Sequence, residues 1–353
     1  MWTVARGERE KLAIRLKDIA RDLNVSTVTV SKVLRGNSDI SEKTRARVLK
    51  RMQELNYQPN MLARGLASGR TYTVGLVVPD LVHPFFAEFA KSLSGVLRES
   101  HRALVLASSE ENPEIEQQEI RALLSRSIDV LLIASCQPKL KNFYELGDER
   151  TPYLLVDRNF PYLAAHFVGS DDYKAGQLAT KHLIDLGRKR IAHIGGRGMS
   201  PSLDRLRGYR DTLTQNGLEF NEKYVVLREK FEETGDLAGY QAMKELLKLK
   251  PRPDAVFCYN DLTAIGAMEA TMQAGLRVPQ DIAFVGCGNL RYAKYLKMPL
   301  TSIDHSTEKL GLKAGELALE LTKTPDMTPT SILIEPKLVI RESTSGEKAA
   351  EKG

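Results

Sequence analysis

The sequence predicts two structural classes in one chain. An all-α helix-turn-helix domain comes first, followed by an α/β body of two lobes, each a parallel sheet covered by helices on both faces. Three observations carry this. Leu16 to Leu34, LKDIARDLNVSTVTVSKVL, reads as two short helices around a tight turn. The charge is lopsided: residues 1–70 hold 15 Lys and Arg against 7 Asp and Glu, although the whole chain is only +6. From Tyr72 onward, apolar strand-like runs alternate with amphipathic helices.

The first helix rests on spacing. Leu16, Ile19, Ala20 and Leu23 recur at the helical i, i+3, i+4, i+7 interval among good helix formers. Asn24 tolerates left-handed backbone and suits the turn. Ser26 is a good N-cap for the second helix, and Val30, Val33 and Leu34 form a stripe that packs back on the first. Thr27, Val28, Thr29, Ser31 and Lys32 are left near the surface. β-branched residues form isolated helices poorly, so this helix depends on tertiary packing. Such a pair can lay its second helix in the DNA major groove, although small all-α domains without that role share the pattern.

Charge favours DNA. Residues 71–353 hold 36 basic and 38 acidic side chains, so all the excess positive charge lies in the first fifth of the chain. A basic lobe beside a near-neutral body is the footprint of phosphate contacts. Ser41 caps a third helix over about Glu42 to Leu55, with Val48, Leu49, Met52 and Leu55 on one face. Arg45, Arg47, Lys50 and Arg51 fall on or near its exposed side. Tyr57-Gln58-Pro59 stops it. Asn60 to Ala67 is long enough for one or two helical turns and contains Gly65, so it would order only against a partner chain or DNA. Ser68 to Thr71 reads as a flexible joint.

In the body, Tyr72 to Val78 is a strand, followed by a helix starting near Pro84, a favourable first helical position. Ala103 to Ala107 is a strand. Pro113 to Ser125 is a helix with Ile115, Ile120, Leu123 and Leu124 inward. Val130 to Ala134 and Tyr153 to Val156 are strands, and a second series begins near Phe167. That series includes strands at Arg190 to Ile194, Ala255 to Cys258 and Ile282 to Val285. The rhythm implies parallel sheets, with a ligand at the strand C-termini in the cleft between lobes.

Composition sets bounds. Hydrophobic content of 42 % and charge of 27 % describe an ordinary globular chain with no 18-residue apolar run. Met1 to Glu10 is polar and basic, unlike a secretory signal, and the expected location is the cytoplasm. Cys136, Cys258 and Cys287 are scattered beside apolar residues and read as buried free thiols, with no zinc-like spacing. No G-x-x-x-x-G-K-[ST], H-E-x-x-H or G-x-S-x-G motif is present, so neither an enzyme nor a cofactor is expected. Gly195-Gly196-Arg197-Gly198 after the strand IAHI resembles a phosphate cradle but fits a tight βα turn better.

The cleft candidates follow from strand ends. His83, Phe85 and Phe86 follow the first strand. Asp157 and Arg158 follow the fourth, and Arg205 lies in DRLRGY. Asn260 follows the strand ending at Cys258-Tyr259, Asn289 follows the strand IAFVG, and His305 follows Thr301 to Asp304. Phe231 and Tyr240 are weaker candidates. Carboxylates and guanidiniums among aromatic walls grip polyhydroxylated ligands, because bidentate hydrogen bonds fix hydroxyl orientation.

The order and spacing of several motifs resemble the LacI/GalR family of bacterial transcription regulators, from about Leu16 to Glu342. The motifs are LKDIARDLNVSTVTVSKVLRG, SEKTRARVL, LNYQPNMLARGLASGRT, VGLVVPDLVHPFFAE, VGSDDYKAG, DRLRGYRDTL, NDLTAIGAM and GLRVPQDIAFVG. The resemblance implies a periplasmic-binding-protein-like sensor whose chain crosses three times between lobes. It also implies a homodimer on a near-palindromic operator, with a hinge helix that wedges Leu66 into the minor groove. Thr27, Val28 and Lys32 then fall where the family sets base preference. The candidate DNA contacts are Lys17, Ser26, Thr27, Val28, Thr29, Ser31, Lys32, Arg35, Asn60, Ala63, Arg64 and Leu66. Lys32 departs from the family's usual Arg and loses its planar fork.

A second departure lies in the cleft. Where the family has an aromatic followed by an Asp, this chain has Cys287-Gly288-Asn289. The loss of that carboxylate points to a larger effector, to an anionic one, or to a pocket that has lost its effector. His83 and His305, if they titrate near neutrality, would favour an acidic ligand. The expected function is an effector-controlled repressor. The alternatives are a regulator with a degenerate pocket and a solute-binding protein. The expected layout is an extension over 1–14, the helix-turn-helix over 15–58, the hinge and linker over 59–71, the body over 72–342 and a disordered tail over 343–353. Within the body, one lobe takes about 72–170 and 304–325, and the other about 171–303 and 326–342.

Overall fold

Ile19 and Val30 have no solvent exposure, nor does Val48, and three helices close around them in the computed structural model. The structure describes residues 14–34, 37–57, 65, 69–138, 143, 150–196, 198–227 and 235–345. The chain divides into two compact units, Met1–Gly69 and Arg70–Gly353.

In the first unit, α1 (Leu16–Leu23) ends on Asn24 in the left-handed region at φ 53°. α2 (Thr27–Leu34) starts at Ser26, whose hydroxyl accepts the Thr29 amide at 3.0 Å. α3 (Glu42–Glu54) is capped by Ser41 through the Thr44 amide. Ala20, Val33 and Met52 complete the core. Leu49 is 49 % exposed and turns away from that core, contrary to its expected place beside Val48. The arginines of α3 are structural struts. Arg51 grips Asp22 at 2.6 Å, Arg47 donates to the Leu23 carbonyl and Arg45 to the Asn37 carbonyl.

The second unit holds two six-stranded sheets. The first runs β11 (Ser331–Ile334), β5 (His166–Ser170), β4 (Tyr153–Val156), β3 (Val130–Ile133), β1 (Thr73–Val78), β2 (Ala103–Ser108). The second runs β12 (Lys337–Val339), β10 (Thr301–Asp304), β9 (Ala283–Cys287), β8 (Ala255–Cys258), β6 (Ile191–Gly195), β7 (Val225–Leu227). All pairs are parallel except β10 with β12. Helices α4 (Pro84–Glu99), α5 (Pro113–Leu124) and α10 (Thr307–Leu321) pack on the first sheet. Helices α6 (Asp172–Asp185), α7 (Ser200–Gln215), α8 (Gly235–Leu246) and α9 (Asp261–Gln273) pack on the second. The inner strands are buried over nearly their whole length, as parallel sheets with two covered faces require.

The chain crosses between sheets after β5, after β10 and after β11. Two expectations need correction. Phe167 belongs to β5, the last strand of the first run, so it does not open the second series. β11 pairs with β5, so residues up to Ile334 lie in the first lobe and not the second. The tail expected from 343 onward also begins too early: Glu342–Ser345 form α11, and Ser343 is fully buried, its hydroxyl donating to the Phe284 carbonyl at 2.7 Å. Residues 346–353 and the extension before residue 14 lie outside the described residues.

Candidate functional site

Each lobe aims the C-terminal ends of its strands at a common cleft of about 510 Å³. His83 follows β1 and caps α4. Asp157 and Arg158 follow β4, Asn260 follows β8 and caps α9, and His305 follows β10. Arg205 reaches in from α7. These side chains, with Phe85 and Phe86, line the one cleft. Phe86 is 6 % exposed and doubles as core under α4.

The two guanidiniums are held rigidly. Arg158 meets Glu111 at 2.6 and 3.2 Å and donates to the Ser135 carbonyl. Its Nε is buried without a hydrogen-bond acceptor, 3.9 Å from the Asp157 carboxylate. Arg205 meets Asp172 at 2.7 Å, donates to the Tyr259 carbonyl at 2.7 Å and lies over the Tyr259 ring at 4.8 Å. A Cβ on Gly196 would sit 2.9 Å from that ring, so the glycine after β6 serves close approach to Tyr259. Burial raises the Asp157 carboxyl and lifts that of Asp172 to about 6, against the pull of Arg205.

The histidines differ from expectation. Burial lowers His83 to about 4 and His305 well below 6.5, so both are neutral near pH 7 and cannot attract an anion by charge. His83 Nδ1 accepts the Phe85 amide at 3.3 Å, which leaves the ring proton on Nε2. Asn260 Oδ1 accepts the Thr263 amide at 2.8 Å, which leaves its NH₂ free to donate. These two donors face each other across the cleft, 3.5 Å apart. Their helix-capping roles fix both as donors, so one acceptor atom within reach of the pair would satisfy both.

Six carboxylates line the cleft, from Asp80, Glu110, Glu111, Asp157, Asp236 and Asp261, against the guanidiniums of Arg158 and Arg205. Asp261 is chiefly structural: it accepts the Leu290 amide at 2.7 Å and the Ser302 hydroxyl at 2.5 Å. Gly288 sits at φ +128°, a conformation that disfavours side chains, and a Cβ there would meet only Asp261 Oδ2, at 3.9 Å. The space opened by its missing side chain is part of the cleft.

Asn289 is corrected: it is absent from the cleft wall, and its side chain accepts from Arg341 at 2.5 Å. Tyr240 is also absent from the wall and donates to Gln273. Phe231 lies outside the described residues, as do Arg35, Asn60, Ala63, Arg64 and Leu66. Sequence reasoning missed Tyr259, although it adjoins Asn260 at the same strand end. It also missed Glu111 and Asp172, whose pairing with arginines 47 and 33 residues away leaves no local signal.

On α2, Thr27 and Val28 are exposed, and Thr29, Ser31 and Lys32 half-buried. Lys17 on α1 is exposed. The Lys32 ammonium is paired with Asp39. All three cysteines are free and buried. Among the described residues no helix is long and apolar enough to cross a membrane, and no cluster of side chains could hold a metal ion.

A helix-turn-helix unit joined in one chain to a two-lobed body with a polar cleft defines a ligand-responsive DNA-binding regulator. Residues 15–60 match bacterial regulatory proteins of the lacI family, and residues 180–344 match the periplasmic binding protein-like domain. The ribose operon repressor of Haemophilus influenzae is 34 % identical over 329 residues, 93 % of this chain and 98 % of that one. The transcriptional regulator GalR of Escherichia coli is 33 % identical over 331 residues, 94 % of this chain and 95 % of that one. The lac repressor dimer bound to operator and the anti-inducer ONPF superposes with a TM-score of 0.83 at 25 % identity, covering 94 % of this chain and 99 % of that one. The regulator CelR in complex with cellobiose gives 0.70 at 31 % identity, covering 94 % and 99 %. The chain belongs to the lacI family of bacterial regulatory proteins. It is a transcription regulator with a DNA-binding helix-turn-helix and an effector-binding domain.

Proposed function

We propose that this regulator is a repressor that binds a near-palindromic operator as a homodimer and is controlled by a neutral, polyhydroxylated effector in the cleft. The observation that carries the effector reading is the pair of donors, His83 Nε2–H and Asn260 NH₂, facing each other from opposite lobes. A sugar oxygen within reach of both would accept from each and bridge the lobes. Asp157, Arg158 and Arg205 would take further hydroxyls, Phe85 and Phe86 would wall the ring, and His305 would back Arg205. Neutral histidines and six lining carboxylates favour a neutral ligand over an anionic one.

Lys17, Ser26, Thr27, Val28, Thr29, Ser31, Lys32 and Arg35 would contact DNA, from α1, from α2 and from the residues next to α2 in sequence. Asn60, Ala63, Arg64 and Leu66 would act at the centre of the operator. Effector binding shifts DNA affinity only through its differential affinity for two states of the lobes. One relative's name, a ribose operon repressor, and the CelR complex with cellobiose agree with carbohydrate sensing.

The test selects binding sites from random duplex DNA with the full chain. The selected site is then titrated in the presence of ribose, galactose and cellobiose. The expected result is a dyad-symmetric site whose affinity changes with at least one sugar. Asymmetric sites would sink the dimer reading. A symmetric site that no sugar affects would favour a regulator with a degenerate pocket.

A further inference from the structure

Behind the cleft, buried polar side chains form a directed hydrogen-bond chain that reaches all three crossovers. It begins at Arg205, whose Nη2 lies 3.2 Å from His305 Nε2. A guanidinium carries donors only, so this imidazole nitrogen is an acceptor without a hydrogen. The Cys287 thiol, 3.1 Å away, directs its S–H at the same nitrogen. The neutral ring therefore holds its proton on Nδ1, which donates to Ser170 Oγ at 2.7 Å. The Ser170 hydroxyl is left to donate to the Ile334 carbonyl at 3.5 Å, which also accepts the Asp171 amide at 3.1 Å.

The placement of these residues gives the chain its meaning. Ser170 ends β5, His305 directly follows β10 and Ile334 ends β11, so each stands at the start of a crossover. Ser170 and Ile334 belong to the first sheet, whereas Arg205, Cys287 and β10 belong to the second lobe. The His305–Ser170 bond thus passes between lobes, close to the axis about which they would move. Arg205, Cys287 and His305 all line the cleft, and His305 is only 3 % exposed there.

We propose that His305, in its Nδ1–H tautomer, is a positioning residue that ties the cleft arginine to all three hinge segments at once. A ligand atom that draws on Arg205 then acts on the three crossovers together. The regulatory meaning rests on the cleft being the effector site. The linkage itself is a property of the unliganded chain, which separates the two tests.

Two measurements on the full-length, unliganded protein test the linkage. Ring ¹⁵N NMR, with His305 assigned by its loss in His305→Gln, should show a protonated Nδ1 and a bare Nε2. An Nε2-protonated ring would overturn the proposal. Hydrogen exchange read by mass spectrometry should show His305→Leu speeding exchange by about tenfold at residues 170–172, 303–307 and 333–337 together, the size of one lost hydrogen bond. His305→Gln should restore protection, because its carboxamide can accept from Arg205 and donate to Ser170 with the same polarity. Faster exchange confined to 303–307, or no rescue by Gln, would refute the coupling. Absence of sugar binding in calorimetry would remove the effector reading and leave the exchange result standing.

Discussion

His193 shows how one buried residue contributes to the pH dependence of the fold. It lies at 0 % exposure in β6, its ring stacked on Tyr209 and tilted against Phe257, with Nδ1 bonded to the Phe257 carbonyl and Nε2 unpartnered. Burial lowers it from 6.5 to about 4. A depressed folded value means that its stabilising contribution is full above pH 6.5 and is lost as pH falls toward 4. The loss amounts to about 3 kcal/mol. Asp172 and Asp261, both raised to about 6, act with the opposite sign and lose stability as pH rises from 3.8 to 6. Denaturant titrations at pH 7 and pH 4.5 should therefore show less pH dependence for His193→Gln than for the parent chain, and an identical slope would contradict the burial argument. In the first unit, Lys32 is neutralised by Asp39, whose carboxyl is lowered chiefly by that hydrogen bond. Asp39→Ala removes one negative charge and releases the ammonium. Operator affinity should rise, and the slope of log affinity against log salt should steepen by about one ion. An unchanged slope would show that Lys32 makes no phosphate contact.

At the scale of elements, the three helices of the first unit share a core of six buried residues among those described, so each counts heavily. Ile19→Ala leaves a hole at the centre of that core and should cost about 2–5 kcal/mol. Proteolysis should then release the N-terminal unit while the body resists, and loss of protection in both units would contradict their division at Gly69. The elements themselves were largely legible in the sequence because periodicity and capping are local. Ser26, Ser41, Asn24 and Pro84 marked helix ends that the structure places within a residue or two. Leu49 was misplaced because a single helix register cannot show how wide its buried stripe is. β11 was assigned to the wrong lobe because sheet membership depends on the third crossover, and a four-residue run of alternating exposure does not reveal its partner. In the cleft, residues directly after strands were found. Glu111 and Asp172 were not, because their role is to hold distant arginines. The protonation of His83 and His305 was misjudged for a related reason: burial, and not residue type, decides it.

For the whole molecule, the three crossovers let two rigid sheets share one cleft, and the charge of that cleft sets what can enter. Arg158 and Arg205 are already committed to Glu111 and Asp172, so neither offers an uncompensated positive charge to a ligand. The histidines supply none near pH 7. A sugar acid or sugar phosphate would have to enter a cleft lined by six carboxylates against these two paired cations. Burying a charge without a partner costs several kcal/mol, more than two or three neutral hydrogen bonds return. A neutral polyol would meet donors at His83 and Asn260 and an acceptor at Asp157, and it would bring no charge to desolvate. Calorimetry at pH 7.5 against ribose, galactose and cellobiose, beside ribose 5-phosphate and galacturonate, separates the cases. At least one neutral sugar should bind more than tenfold tighter than its charged counterpart, a gap of about 1.4 kcal/mol or more. Tighter binding of the anionic member of each pair would mean that ligand entry separates Arg158 or Arg205 from its carboxylate, and would overturn the neutral-effector reading.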